Sequence, residues 1–252
     1  MQNNKEMTNA ALTDRQFWSE YWKTHPIVKV SRHVFFLDLV KDLNGKGKRF
    51  IELGGFPGYH CVFFHKYLGY DVSLLDYYIN REIIARVEEI NGLRSGTIKV
   101  IEADVFNLHS SEKYDLVFSA GLVEHFQDIP LIIQRHTELT SDEGTVLILI
   151  PNFLGIYGIV QRLFDKENLK KHNLECMKLE KLKQILSAYK NSFDEIQIFY
   201  YGKPMIWLEQ KGKNFLPRLI KLISLFIGLL PFRGKWFSPY ICIRMDKQKP
   251  LQ

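Results

Sequence analysis

Apolar residues recur along this chain in two alternating rhythms. Short runs of strand length stand at Arg49–Leu53, Asp71–Asp76, Thr97–Ile101, Tyr114–Ser119 and Gly144–Ile150. Between them, apolar residues fall at three- and four-residue intervals over Tyr59–Leu68, Arg81–Ile90 and Glu124–Leu139, with Gly69 and Asn91-Gly92 closing the first two. Those intervals predict helices, and the glycines are stop signals. Strands that are apolar throughout and separated by helices imply a parallel sheet covered on both faces. After Asn152 the alternation is interrupted as far as Met177. A helix is then predicted over Leu179–Tyr189, a sixth strand over Phe193–Tyr200 and a seventh over Pro239–Met245. Ahead of the first strand, Thr13-Asp14-Arg15-Gln16 has the form of a capping box opening a helix with Phe17, Trp18, Tyr21 and Trp22. His25-Pro26 breaks that helix, and a second helical pattern runs from Val34 to Leu43.

The first strand–helix–strand unit carries the candidate chemistry. Its strand closes on Gly54-Gly55-Phe56-Pro57-Gly58, a turn that lets a ligand approach the backbone where the next helix directs its free N–H groups. Asp76 ends the second strand about 20 residues after the glycine turn, the placement of a group that binds a ribose. An adenosine-bearing cofactor is therefore predicted, against the simpler reading that the glycines only make a turn.

Glu52-Leu53-Gly54-Gly55-Phe56-Pro57-Gly58 resembles the first motif of the class I S-adenosylmethionine-dependent methyltransferases, with Phe56 where that family usually has its middle glycine. The resemblance implies an α/β fold: a doubly wound, seven-stranded, mostly parallel Rossmann-like sheet, its last strand inserted antiparallel between the fifth and sixth. The resemblance spans about residues 48 to 152 closely and 178 to 200 loosely. The chain is accordingly expected to divide into an N-terminal helical cap over 1–47, a cofactor-binding domain over 48–200 and 239–247, and a helical insertion over 201–238 that is this protein's own addition. The resemblance also implies site roles. Glu52 would anchor the loop formed by Gly54, Gly55, Phe56 and Gly58 and reach the methionine amino group of S-adenosylmethionine. Asp76, with Tyr77 beside it, would bind the ribose hydroxyls. Asp104 would accept from the adenine amino group next to the Val105 backbone, and Ala120 and Gly121 would line the methionine end. His125 is the candidate general base; Tyr157 and His25 are weaker candidates, and His60 and His65 receive no role. The aromatic N-terminal segment either folds over this site or covers one edge of the sheet.

Composition narrows the class further. Hydrophobic residues at 46% and charged residues at 25% are those of an ordinary soluble protein with a sizeable core. The N-terminus lacks the basic-then-apolar order of a signal peptide. Cys61, Cys176 and Cys242 are odd in number and unclustered, which predicts reduced cysteines in a cytoplasmic protein and no metal site. The net charge of +6 is uneven: from Lys203 to Lys249 there are ten Lys/Arg and two Asp/Glu. Within that region Phe215–Leu230 is apolar on most of a helical surface, too short for the roughly 20 residues of a membrane span. Two readings stand: peripheral membrane contact through 215–236, or a lid or dimer helix. Basic residues interleaved with an apolar helix speak against nucleic acid as the partner.

Methyl transfer from S-adenosylmethionine to a small-molecule, sugar or lipid-linked acceptor is the leading function. The alternatives are a nicotinamide-dependent oxidoreductase and a non-catalytic methyltransferase-like binding protein. Against the former, the loop lacks Gly-x-Gly-x-x-Gly spacing and no Tyr-x-x-x-Lys pair stands on a helix. The acceptor is expected to meet segments 1–47, 153–177 and 201–238.

Overall fold

β1 (Arg49–Leu53) is buried over all but its first residue, because it has parallel neighbours on both edges and helices on both faces. On one side it pairs with β2 (Asp71–Asp76), which pairs in turn with β3 (Lys99–Glu102). On the other it pairs with β4 (Tyr114–Ala120), followed by β5 (Thr140–Pro151). β7 (Tyr240–Asp246) lies antiparallel between β5 and β6 (Glu195–Tyr201), giving a seven-stranded sheet of order β3-β2-β1-β4-β5-β7-β6. This is the doubly wound arrangement expected, including the antiparallel insertion of the last strand. The structure, a computed structural model, describes residues 11–108, 110–204, 228 and 232–247.

Alternate side chains of each strand feed opposite cores. Phe50, Leu74 and Phe118 pack with Phe63 and Phe64 of the helix at Tyr59–Leu68. Ile51, Val117 and Ile148 pack with Ile132, Ile133 and Leu182 on the other face. The elements ahead of β1 are α1 (Arg15–Lys23) and a short α2 (Leu37–Val40), all that forms of the helical pattern over Val34–Leu43. The cap of α1 is Asp14, which accepts from Phe17 N at 2.7 Å. Thr13, at the expected cap position, instead accepts from Trp18 Nε1 at 3.1 Å. α3 (Tyr59–Leu68) and α4 (Arg81–Ile90) follow as predicted.

The helix expected over Glu124–Leu139 is divided. Val123–His125 forms a single 3-10 turn, and α5 (Ile129–Leu139) starts afresh with Asp128 accepting from Leu131 N at 2.9 Å. Pro130 in its first turn has no N–H to carry a helix through from Glu124, so the chain re-initiates at Asp128. Glu124 and His125 consequently sit in a turn above the strand ends. Beyond β5 come α6 (Ile156–Phe164), α7 (Lys166–Leu169), a 3-10 turn at Leu174–Met177 and α8 (Leu179–Leu186).

The apolar helix expected over 215–230 lies outside the described residues apart from Gly228, and with it most of the expected membrane contact. Residues 232–238, at the end of that insertion, are tied to the start of α6: Tyr157 donates its hydroxyl to Phe237 O at 2.9 Å and Ile156 N donates to Trp236 O at 3.1 Å. No helix among the described residues is long and apolar enough to cross a membrane.

Candidate active site

The carboxyl ends of the parallel strands open into a cavity of about 810 Å³, inside the roughly 300–1,000 Å³ of small-molecule sites. Its floor is the glycine turn. Gly54 takes φ 67°, a left-handed conformation open to glycine. At Gly55 a Cβ would lie 1.9 Å from Glu52 Cδ, so the missing side chain is what lets the Glu52 carboxylate fold beneath the turn. That carboxylate is 1% exposed; Oε1 meets His60 Nδ1 at 2.5 Å and Oε2 accepts from the Cys61 thiol at 3.5 Å. The first turn of α3 thus fastens the acid at the end of β1. His60, given no role from the sequence, is part of the cavity wall. Its position on the first turn after the glycines was the available signal.

Asp76 closes the turn from the other side. Oδ2 accepts from Phe56 N at 3.0 Å and Oδ1 from Tyr78 N at 2.9 Å. Burial pushes its pKa up to about 6, with the N–H groups of Tyr78 and Phe56 pulling the other way. The Phe56 ring is packed edge-on against Trp22 at 5.6 Å and Tyr78 at 5.3 Å between centroids. It lines the cavity without filling it. Asp104 Oδ1 accepts from Phe106 N at 2.9 Å, so this acid shapes its own loop as well as facing the cavity. Val105 is buried next to it and Tyr77 is exposed at the rim. Ala120 and Gly121 bring the end of β4 to the same space. Gly58 alone of the residues predicted to bind is absent from the wall; it is buried, with φ 95°, where the chain enters α3.

The roof is α1. Phe17, Trp18, Tyr21 and Trp22 line the cavity, and Leu12 N donates to His125 O at 2.7 Å to dock the segment ahead of the helix. The aromatic side chains of α1 thus lie against the cavity rather than only against an edge of the sheet. Tyr157 is buried away from the cavity, and His25 stacks on Tyr21 at 3.8 Å outside it.

His125 lines the cavity with its Nδ1 3.0 Å from Lys171 O. A carbonyl only accepts, so Nδ1 carries the proton and Nε2 is bare. Burial, with the neighbouring His172 ring at 4.9 Å, holds its pKa down to about 3. Such an imidazole is neutral at physiological pH and takes up a proton poorly, which speaks against the expected general base. Beside it Glu124 is 1% exposed, and burial raises it to about 8. Neither Glu124 nor His172 has a role legible in the sequence; His172 reaches the site only through the path of α6 and α7.

A family model described as a methyltransferase domain matches residues 30–189, more than half of the chain. No curated protein matches the sequence at a significant level. Among solved structures, one similar fold is a Haemonchus contortus phosphoethanolamine N-methyltransferase 2 in complex with phosphomonomethylethanolamine and S-adenosylhomocysteine. It has TM-score 0.58 and 16% identity over 85% of this chain, which spans only about half of that enzyme (52%). A SAM-dependent methyltransferase from Archaeoglobus fulgidus has TM-score 0.56 and 19% identity, over 93% of this chain and 100% of that one. The geranyl diphosphate C-methyltransferase of Streptomyces coelicolor A3(2) has TM-score 0.55 and 10% identity, over 84% and 77% of the two chains. At these identities the likeness shows the fold.

Proposed function

Because this chain belongs to the methyltransferase-domain family, we propose that it transfers a methyl group from S-adenosylmethionine to a small molecule held at the aromatic, histidine-lined end of the cavity. The observation that carries this is one cavity, which joins the glycine turn and the acids at the ends of β1, β2 and β3 to the space beneath α1. A nicotinamide-dependent oxidoreductase has no support from the family match.

The residues fit the cofactor. Asp76 would accept from the ribose hydroxyls, since a carboxylate has about four lone-pair sites and backbone N–H groups take two. Asp104, with Oδ1 engaged by Phe106 N, would accept from the adenine amino group through Oδ2. Glu52, held in place by His60, would face the methionine amino group. When bound, the cofactor supplies a methyl group on positively charged sulfur, already activated toward a nucleophile. The chain's own contribution is then alignment and exclusion of water. The four aromatic side chains of α1 exclude water, while Phe153 and Tyr240 wall the acceptor end. Such walls suit a compact or partly apolar acceptor, including a sugar or a lipid-linked intermediate, better than a folded macromolecule.

Cell extract incubated with the protein and methyl-labelled cofactor, followed by untargeted mass spectrometry, tests the acceptor class. Label is expected in a low-mass or lipid-fraction compound. Label confined to protein or nucleic acid would overturn the proposal.

A second outcome concerns pH. The ionised form of Asp76 is the stronger acceptor for ribose hydroxyls, and its pKa of about 6 means that ionisation is completed as pH rises through that value. Affinity for S-adenosylhomocysteine is therefore expected to rise from pH 5 to pH 7 by about tenfold at most, one pKa unit being a factor of ten. In Asp76→Asn the profile should be flat over this window; an unchanged slope would assign the titration elsewhere.

A further inference from the structure

Glu124, His125 and His172 each present one ligand atom, and these atoms all lie within 4.8 Å of one another at the wall of the cavity. The two imidazoles are fixed in the same way. His125 Nδ1 donates to Lys171 O at 3.0 Å and His172 Nδ1 donates to Asn168 O at 2.8 Å, so both Nε2 atoms are bare and both rings are oriented. Metal-binding histidines are held by this kind of outer hydrogen bond. The carboxylate supplies the independent observation: Glu124 is 1% exposed, and its Oε2 has no hydrogen-bond partner among the described residues. A buried polar atom left unsatisfied is costly and calls for a missing partner. The two loops that bring the three together are stitched to each other, since Asn173 N donates to Glu124 O at 2.6 Å and Asn173 Nδ2 to Phe126 O at 2.9 Å.

We propose that Glu124, His125 and His172 bind a divalent transition cation, Zn²⁺ being the best match, with its open coordination position toward the cavity. Two imidazoles and one carboxylate are the donor set of open zinc sites, whereas Mg²⁺ and Ca²⁺ call for oxygen ligands. Ligands on tetrahedral Zn²⁺ at about 2.0–2.1 Å are roughly 3.3 Å apart. The 4.0 Å between His125 Nε2 and Glu124 Oε1, and separations of up to 4.8 Å within the group, would close to that spacing by rotation of the three side chains. A cation there would bind an acceptor through oxygen, nitrogen or sulfur and make its proton easier to lose. That role rests on the methyl-transfer reading; the cation site does not.

The full chain, stripped with a chelator and dialysed, is titrated with Co²⁺ and with Zn²⁺, read by visible absorption and by elemental analysis. Expected are ligand-field bands on Co²⁺ addition, their bleaching by Zn²⁺ but not by Mg²⁺, and one ion retained per chain. His172→Ala and Glu124→Gln should each weaken retention at least tenfold while far-ultraviolet circular dichroism is kept. Retention unaffected by both substitutions would place the ion on other histidines and overturn the proposal, and so would a featureless Co²⁺ spectrum in the unmodified chain. S-adenosylhomocysteine binding is measured in parallel: a chain that binds it but retains no ion refutes the cation site alone, and one that retains the ion but not the nucleoside refutes the methyl-transfer reading alone.

Discussion

Asp76→Ala is expected to weaken S-adenosylhomocysteine binding by about 1–3 kcal/mol, roughly 5- to 150-fold in Kd. Two losses combine. The ribose hydroxyls would lose a charged acceptor, and Phe56 N and Tyr78 N would lose the carboxylate that joins the glycine turn to β2. Asp71→Ala is the control, because Asp71 is exposed at the opposite end of the same strand, paired with Lys99 at 2.5 Å. Its affinity should equal that of the unmodified chain. Calorimetric titration of the three proteins decides the matter, and an Asp76→Ala Kd within twofold of the parent would remove Asp76 from the site.

Gly55→Ala should damage stability and binding together. The added methyl would sit 1.9 Å from Glu52 Cδ and 2.2 Å from Cγ, in a place where the acid is already gripped by His60. Forcing a group into a packed site costs about 1–3 kcal/mol. In a chain of this length each kcal/mol lowers Tm by about 2–4 °C. The three nearest atoms in the clash all belong to the Glu52 side chain, which allows a sharper test. In the Glu52→Ala background the same substitution meets no carboxylate, so its effect on Tm should largely vanish. An equal drop in both backgrounds would mean that the strain lies in the backbone of the turn.

The sheet was legible because its strands are uninterrupted apolar runs bounded by turn residues, and the register of β1 against β2 brings the glycine turn and Asp76 to one rim. Periodicity places elements but not what they lean on. It marked the aromatic face of α1 without saying that Trp18 and Trp22 would cover the crevice. The break after His125 is encoded in Asp128 and Pro130 but masked by the apolar spacing of a helix, which continues through it. The position of β7 came from the likeness to a family, since an apolar run carries no direction. Contacts such as His60 with Glu52, or His172 with His125, need the folded path: neither pair is made by residues in one element. The Phe56 departure also resolves only in three dimensions, where its ring turns aside toward Trp22 and Tyr78.

One crevice, floored by Gly54 and Gly55 and flanked by Glu52, Asp76 and Asp104, is proposed to hold the adenosyl sulfonium. Isothermal titration of the full chain with S-adenosylhomocysteine tests this most directly. Saturable binding at one site per chain, undisturbed by excess NAD, is expected; no heat up to millimolar ligand, or displacement by NAD, would refute the assignment of this crevice.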